Sequence, residues 1–109
     1  MPCVLVFTNL PDRASAEKLA ALLIEQRLAA CVNLLSPCTS AYRWQGEIQR
    51  DEEHPVLIKT AQDRYADLEA AIRANHPYEL PEIIAVPITG GLPAYLQWVE
   101  SETHPTASV

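Results

Sequence analysis

A chain of 109 residues, 49% hydrophobic and 20% charged, has room for one domain with a real core and none for a second. Its 14 acids against 8 bases give a formal charge of -6, which argues against a nucleic-acid partner, since phosphate binding needs clustered Lys and Arg. No window approaches the run of about 20 apolar residues that spans a bilayer. From Met1 to Phe7 there is no basic segment and no small-residue cleavage site, so the chain reads as cytoplasmic. Three cysteines, Cys3, Cys31 and Cys38, agree: an odd count without a C-x-x-C pair suits neither a disulfide framework nor a zinc site. Cys3 and Cys31 lie in apolar runs as small core residues, and Cys38, after Pro37, is the more exposed.

Residues 3–9 form an apolar run of strand length. Asp12 then offers an N-cap, and Ala16, Leu19, Ala20 and Leu23 recur at helical spacing to about Leu28. Residues 30–44 and 47–60 read as two strands. Ala61, Tyr65, Leu68 and Ile72 then mark one face of a second helix, which His76-Pro77 ends. Residues 83–88 are the next strand. Gly90-Gly91 turns the chain, and Pro93 opens a short helix to about Ser101. The order is that of an α+β, ferredoxin-like βαββαβ sandwich with an extra C-terminal helix. Residues 1–101 make the single domain and 102–109 a loose polar tail.

The central hairpin carries the most information. Trp44-Gln45-Gly46-Glu47 predicts a two-residue turn, with Gly46 taking positive φ. Opposed residues then have numbers that sum to 91, which sets Pro37 against His54 and Pro55 against Ser36. Two prolines at one level of a ladder predict a break or bulge there, dividing an inner half from an outer arm at 38–53. A strand of about 15 residues spans about 50 Å. A globule of this size has a radius of gyration of about 13 Å, so the arm must curl or leave its own subunit. Its bare edges, with Tyr42, Trp44 and Ile48, call for a cover, and a second copy of the chain is the simplest.

Several side chains are candidates for binding. Lys59, late in an inner strand, is expected to place its ammonium in a cleft. Glu79 and Glu82 would be its partners and Tyr78 a neighbour, giving a small-molecule or anion pocket or else a structural ion pair. Trp44, Tyr95 and Trp98 suit interface packing, with ligand stacking as the sharper reading for Trp44. His76 ends a helix, where it serves either as a C-cap or as a copper or zinc ligand, which threefold symmetry would triplicate. His54 beside Asp51-Glu52-Glu53 reads as solvated arm surface, and His104 falls in the tail without a role. Gly90-Gly91 is a plain turn or a weak phosphate cradle.

Leu28-Ala29-Ala30-Cys31-Val32-Asn33, Tyr42-Arg43-Trp44-Gln45-Gly46, Ile58-Lys59-Thr60, His76-Pro77-Tyr78-Glu79-Leu80-Pro81-Glu82-Ile83-Ile84 and Tyr95-Leu96-Gln97-Trp98 resemble, in order, the CutA family of divalent-cation tolerance proteins. The motifs cover residues 3 to 100. The resemblance implies a homotrimer joined through the 30–60 hairpin, a link to copper and other divalent cations, and a shape similar to the PII signalling proteins. It further implies copper ligands at a first-strand Cys and a His-His pair. Here those positions hold Phe7 and Asn75-His76, so only His76 carries over as a metal residue.

The expected function is a homotrimeric binding protein for divalent-cation tolerance, chiefly copper, and not an enzyme. One alternative is a PII-like regulator with a small anion in an intersubunit cleft; another is a trimeric scaffold. An acylphosphatase-like enzyme shares the topology, but the loop Thr8 to Arg13 has an Arg and no glycine cradle. No other protein partner is legible.

Overall fold

The computed structural model describes residues 2–104. Strand β1 spans Cys3–Leu10, helix α1 Arg13–Glu25, β2 Cys31–Leu34, β3 Cys38–Trp44 and β4 Glu47–Ala61. A 3₁₀ turn at Gln62–Arg64 leads into α2, Tyr65–Ala74; β5, Ile84–Ile88, and α3, Pro93–Glu102, complete the order. All pairings are antiparallel, in the order β2-β4-β1-β5, with β3 on the outer half of β4. This is the ferredoxin-like arrangement that the element order predicts.

The hairpin follows its sequence logic. Gln45 and Gly46 both have positive φ, +50° and +84°, the signature of a type I′ turn. From Trp44–Glu47 to Cys38–Glu53 opposed numbers sum to 91; from Leu34–Val56 to Cys31–Lys59 they sum to 90. One extra residue is therefore accommodated at Leu35-Ser36-Pro37, the bulge expected where the two prolines meet. The arm lengthens the molecule, which measures 54 Å along its long axis against 27 and 23 Å across.

Helix α1 begins as predicted, with the Asp12 carboxylate accepting the Ser15 amide at 2.7 Å. It ends three residues earlier than the apolar spacing suggests. Arg27 turns to φ +58°, and the Leu28 amide closes back on the Leu23 carbonyl at 2.9 Å, a Schellman termination.

The sheet has two unequal faces. Val4, Val6 and Leu10 of β1 and Val56 and Ile58 of β4 meet Leu19 and Leu23 of α1 and Leu68 and Ile72 of α2 in the main core. The opposite face is roofed by α3 at one end only, where Val99 and Leu96 pack on Cys3, Ala30 and Ile88. The rest of that face is open: Leu5 and Phe7 lie between Leu57 and the exposed Ile84 and Val86. Exposed apolar residues thus cluster on this part of the sheet.

Glu102 completes α3, Thr103 is fully buried with its hydroxyl on the Val99 carbonyl, and His104 is hydrogen-bonded. Residues 102–104, expected in the tail, thus pack with the body, and 105–109 lie outside the described residues. In the core, the Thr60 hydroxyl is buried without a hydrogen-bond partner among the described residues. Thr60→Val removes that desolvated hydroxyl at nearly constant volume and should stabilise the chain by about 1 kcal/mol. Urea denaturation at fixed protein concentration checks it.

Candidate functional site

After α2 the chain enters the loop 75–83. The Asn75 amide donates to the Ala71 carbonyl at 2.8 Å, so Asn75, not His76, caps the helix. His76 reaches instead to the end of β1: Nε2 donates to the Asn9 carbonyl at 2.7 Å, while Nδ1 accepts the Tyr78 amide at 3.2 Å. That pairing requires the proton on Nε2. Burial holds the imidazole below its ordinary pKa, which keeps it neutral. Asn9 fastens the loop a second time, its side-chain amide donating to Glu82 at 3.1 Å. With both ring nitrogens engaged, His76 acts here as a clamp, and a metal would have to displace one of these bonds.

The clamped loop and the hairpin arm enclose a cavity of about 560 Å³. Tyr42, Trp44 and Tyr78 give it aromatic walls, and Asp51, Glu52 and Glu79 line it with carboxylates. Tyr78 also faces a second cavity of about 380 Å³, which holds Glu53 and Glu82. Burial, with the charge and hydrogen bond of Glu53, pushes the Tyr78 hydroxyl up to about 12. Tyr42 donates to Asp51, which raises its own pKa in turn. Among the described residues, no Lys, Arg or His lines either cavity. The carboxylates lining this cleft favour a cation over an anion within the single chain.

Of the five predicted ligand residues, Trp44, Tyr78 and Glu79 share the larger cavity and Glu82 the smaller. Lys59 belongs to neither. Its ammonium donates to Asn33 at 2.8 Å and lies 4.0 Å from the Cys31 sulfur. The expected pairing with Glu79 and Glu82 fails for a geometric reason. Lys59 is opposite Leu5, four residues along β1 from the Asn9 that holds Glu82, roughly 13 Å away at strand rise.

Other candidates also settle. His54 is largely covered, its side chain only 14% exposed and 3.6 Å from Glu52, so the arm is not simply solvated there. Cys38 is exposed as expected, Cys3 is buried, and Cys31 is only partly so. Gly91 is shaped by packing: a Cβ there would stand 3.2 Å from Leu96. Arg13 is tied to Glu17 on the outer surface of α1.

One cluster escaped the sequence reading. Asp63, Glu100 and His104 each offer a donor atom within 4.8 Å of the others, the one such group of three among the described residues. The available signal was Glu100 and His104, four apart at the end of a helix and so on one face. Asp63 joins them only through the fold.

Comparison with known proteins agrees with this architecture. The family described as CutA1 divalent ion tolerance protein matches residues 4–102. The "Divalent-cation tolerance protein CutA" of Thermus thermophilus is 43% identical over 98 residues, 90% of this chain and 95% of that protein. "Protein CutA, chloroplastic" of Arabidopsis thaliana is 41% identical over 104 residues, 95% of this chain but 57% of the relative, so the chain spans little more than half that plant protein's length. The crystal structure of CutA1 from Oryza sativa superposes with a TM-score of 0.93 at 37% identity, covering 97% of each chain. The chain is a member of the CutA1 divalent ion tolerance family.

Proposed function

We propose that this chain serves divalent-cation tolerance as a homotrimeric cation-binding protein, and not as an enzyme, with copper the chief ion. The observation that carries the reading is the cleft between the 75–83 loop and the arm, walled by Asp51, Glu52 and Glu79 and free of any base among its lining residues. Relatives named for divalent-cation tolerance support it. Copper(II) is the first ion to test, because it heads the divalent first-row series for nitrogen and oxygen donors. Assembly uses the 30–60 hairpin and the open sheet face around Phe7, which supply a strand edge and an apolar surface for a second copy. We place the chain in the cytoplasm on its odd count of cysteines and the lack of a C-x-x-C pair. No helix among the described residues is long and apolar enough to cross a membrane.

Native mass spectrometry with and without one equivalent of Cu(II) per chain tests assembly and metal load together. The expected species has three times the 12.1 kDa chain mass and keeps a discrete copper load against a mild chelator. A monomer would overturn the assembly, and a trimer that sheds all its copper would overturn the copper assignment.

A further inference from the structure

We propose that His104 is the latch of a pH-gated clasp, which as an imidazolium fastens the end of α3 to the 3₁₀ turn after β4 and releases it when the proton leaves. The device goes beyond the cation-tolerance reading and uses none of the cleft residues.

The geometry fixes the latched form. His104 Nε2 lies 2.9 and 3.0 Å from the two oxygens of Asp63. On the other side of the ring, Nδ1 stands 2.7 Å from the Glu100 carbonyl and 3.3 Å from Glu100 Oε1. A backbone carbonyl and a carboxylate only accept hydrogen bonds, so both ring nitrogens must donate, and only the imidazolium carries two N–H groups. A neutral ring turns a lone pair toward oxygen on one side, whichever nitrogen keeps its proton. Flipping the ring does not help. His76 is the contrast within the same chain: one acceptor and one donor face it, and a neutral imidazole satisfies both.

The charges around the ring agree with that form. Asp63 faces it from the 3₁₀ turn and Glu100 from α3. His104 follows the C-cap residue Thr103, so the negative end of the α3 dipole adds to them. The cations beside these elements are paired elsewhere, Arg64 with Asp67 and Arg27 with Glu102. From β1, the Cys3 thiol senses the Glu100 charge. The bonds to the Glu100 carbonyl and to Asp63 hold the imidazole above its ordinary pKa. A pKa raised by folding gives stability that is fully present below the unfolded value of about 6.5, and it is lost as pH rises through the folded one.

Release has a defined place. The Asp63 side chain is 55% exposed and takes water in exchange for the imidazolium. The Glu100 carbonyl keeps the Thr103 hydroxyl at 3.2 Å and the Thr103 amide at 3.3 Å. The Asp63 side therefore opens, and it frees the last turn of α3, where Thr103 is fully buried four residues beyond Val99, which packs on Cys3 and Ala30.

The experiment is an NMR titration of the His104 ring in the intact chain from pH 5.5 to 8.5, with hydrogen-exchange protection of the Thr103 amide followed alongside. Wild type is compared with Asp63→Asn, which keeps the shape and offers a neutral ring a donor, and with His104→Gln. The substituted side chains are partly exposed, and circular dichroism verifies that both variants fold. In wild type the ring should titrate above about 6.5. Thr103 protection should fall about threefold or more across that midpoint, since each pH unit of linkage is worth up to about tenfold. In Asp63→Asn the ring should titrate lower, and in both variants protection should stay flat. A wild-type ring that titrates at or below about 6.5 would overturn the clasp. So would protection that is constant in wild type, or that falls equally in the variants.

Discussion

On the proposed trimeric assembly, Phe7→Asp should yield a folded monomer in place of a trimer. Phe7 sits mid-strand on the open face, opposite Leu57 of β4 and Ile84 of β5, with Leu5 and Val86 at the next level. Ile84 and Val86, on the edge strand β5, are 51% and 46% exposed in the single chain, an apolar patch beside Phe7. Covering this face in a second copy would bury the phenyl ring, a gain of about 2 kcal/mol. A carboxylate in its place loses that gain and adds a desolvation penalty of several kcal/mol, repeated in each copy. Light scattering after size exclusion should report one chain mass for the variant and three for the wild type. A variant that stays trimeric, with wild-type circular dichroism, would show that copies meet elsewhere.

What the sequence disclosed follows from the range of the interaction involved. The arm's register was legible because a two-residue turn at Gln45-Gly46 sets every opposed pair out to Cys38–Glu53. The bulge was legible because Pro37 and Pro55 announce missing donors whatever the rest of the fold does. Asp12 as N-cap and Pro93 at the start of α3 are likewise local chemistry. The end of α1 was not legible: the left-handed residue that closes it is Arg27, where composition would suggest glycine. The site divided along the same line. Tyr78, Glu79 and Trp44 converge because the topology returns the arm toward the loop after α2. Lys59 was misassigned because its choice between two neighbouring strands depends on where Asn33 falls across the sheet. His104 was missed because Asp63, 41 residues away, supplies its partner.

The same distance effect governs His76, whose partner Asn9 is 67 residues away. His76→Ala should cost about 2–3 kcal/mol near pH 7.5. The substitution leaves the Asn9 carbonyl and the Tyr78 amide without partners in a half-buried loop, and each orphaned group costs 1–3 kcal/mol, less where water enters. The pH dependence distinguishes a clamp from generic packing. Burial lowers the folded-state pKa of His76 below the unfolded value of about 6.5. Between those two values the unfolded chain binds more protons than the folded one, so this histidine's contribution rises with pH. Wild-type stability should therefore lose up to about 1.4 kcal/mol per pH unit from this group as pH falls below about 6.5. The alanine variant should lack that component, and the two stability curves should converge toward acid. His104 carries the opposite sign, because its hydrogen bonds to the Glu100 carbonyl and to Asp63 raise its pKa. It is common to both proteins, so the difference between the curves isolates His76. Urea denaturation from pH 5.5 to 8 at one protein concentration measures that difference. Parallel curves would reject the neutral-imidazole clamp, and loss of the copper load in the alanine variant would return His76 to the role of a metal ligand. The geometry predicts convergence with copper retained: both ring nitrogens are committed to holding the loop against β1, and the cleft depends on the loop staying there.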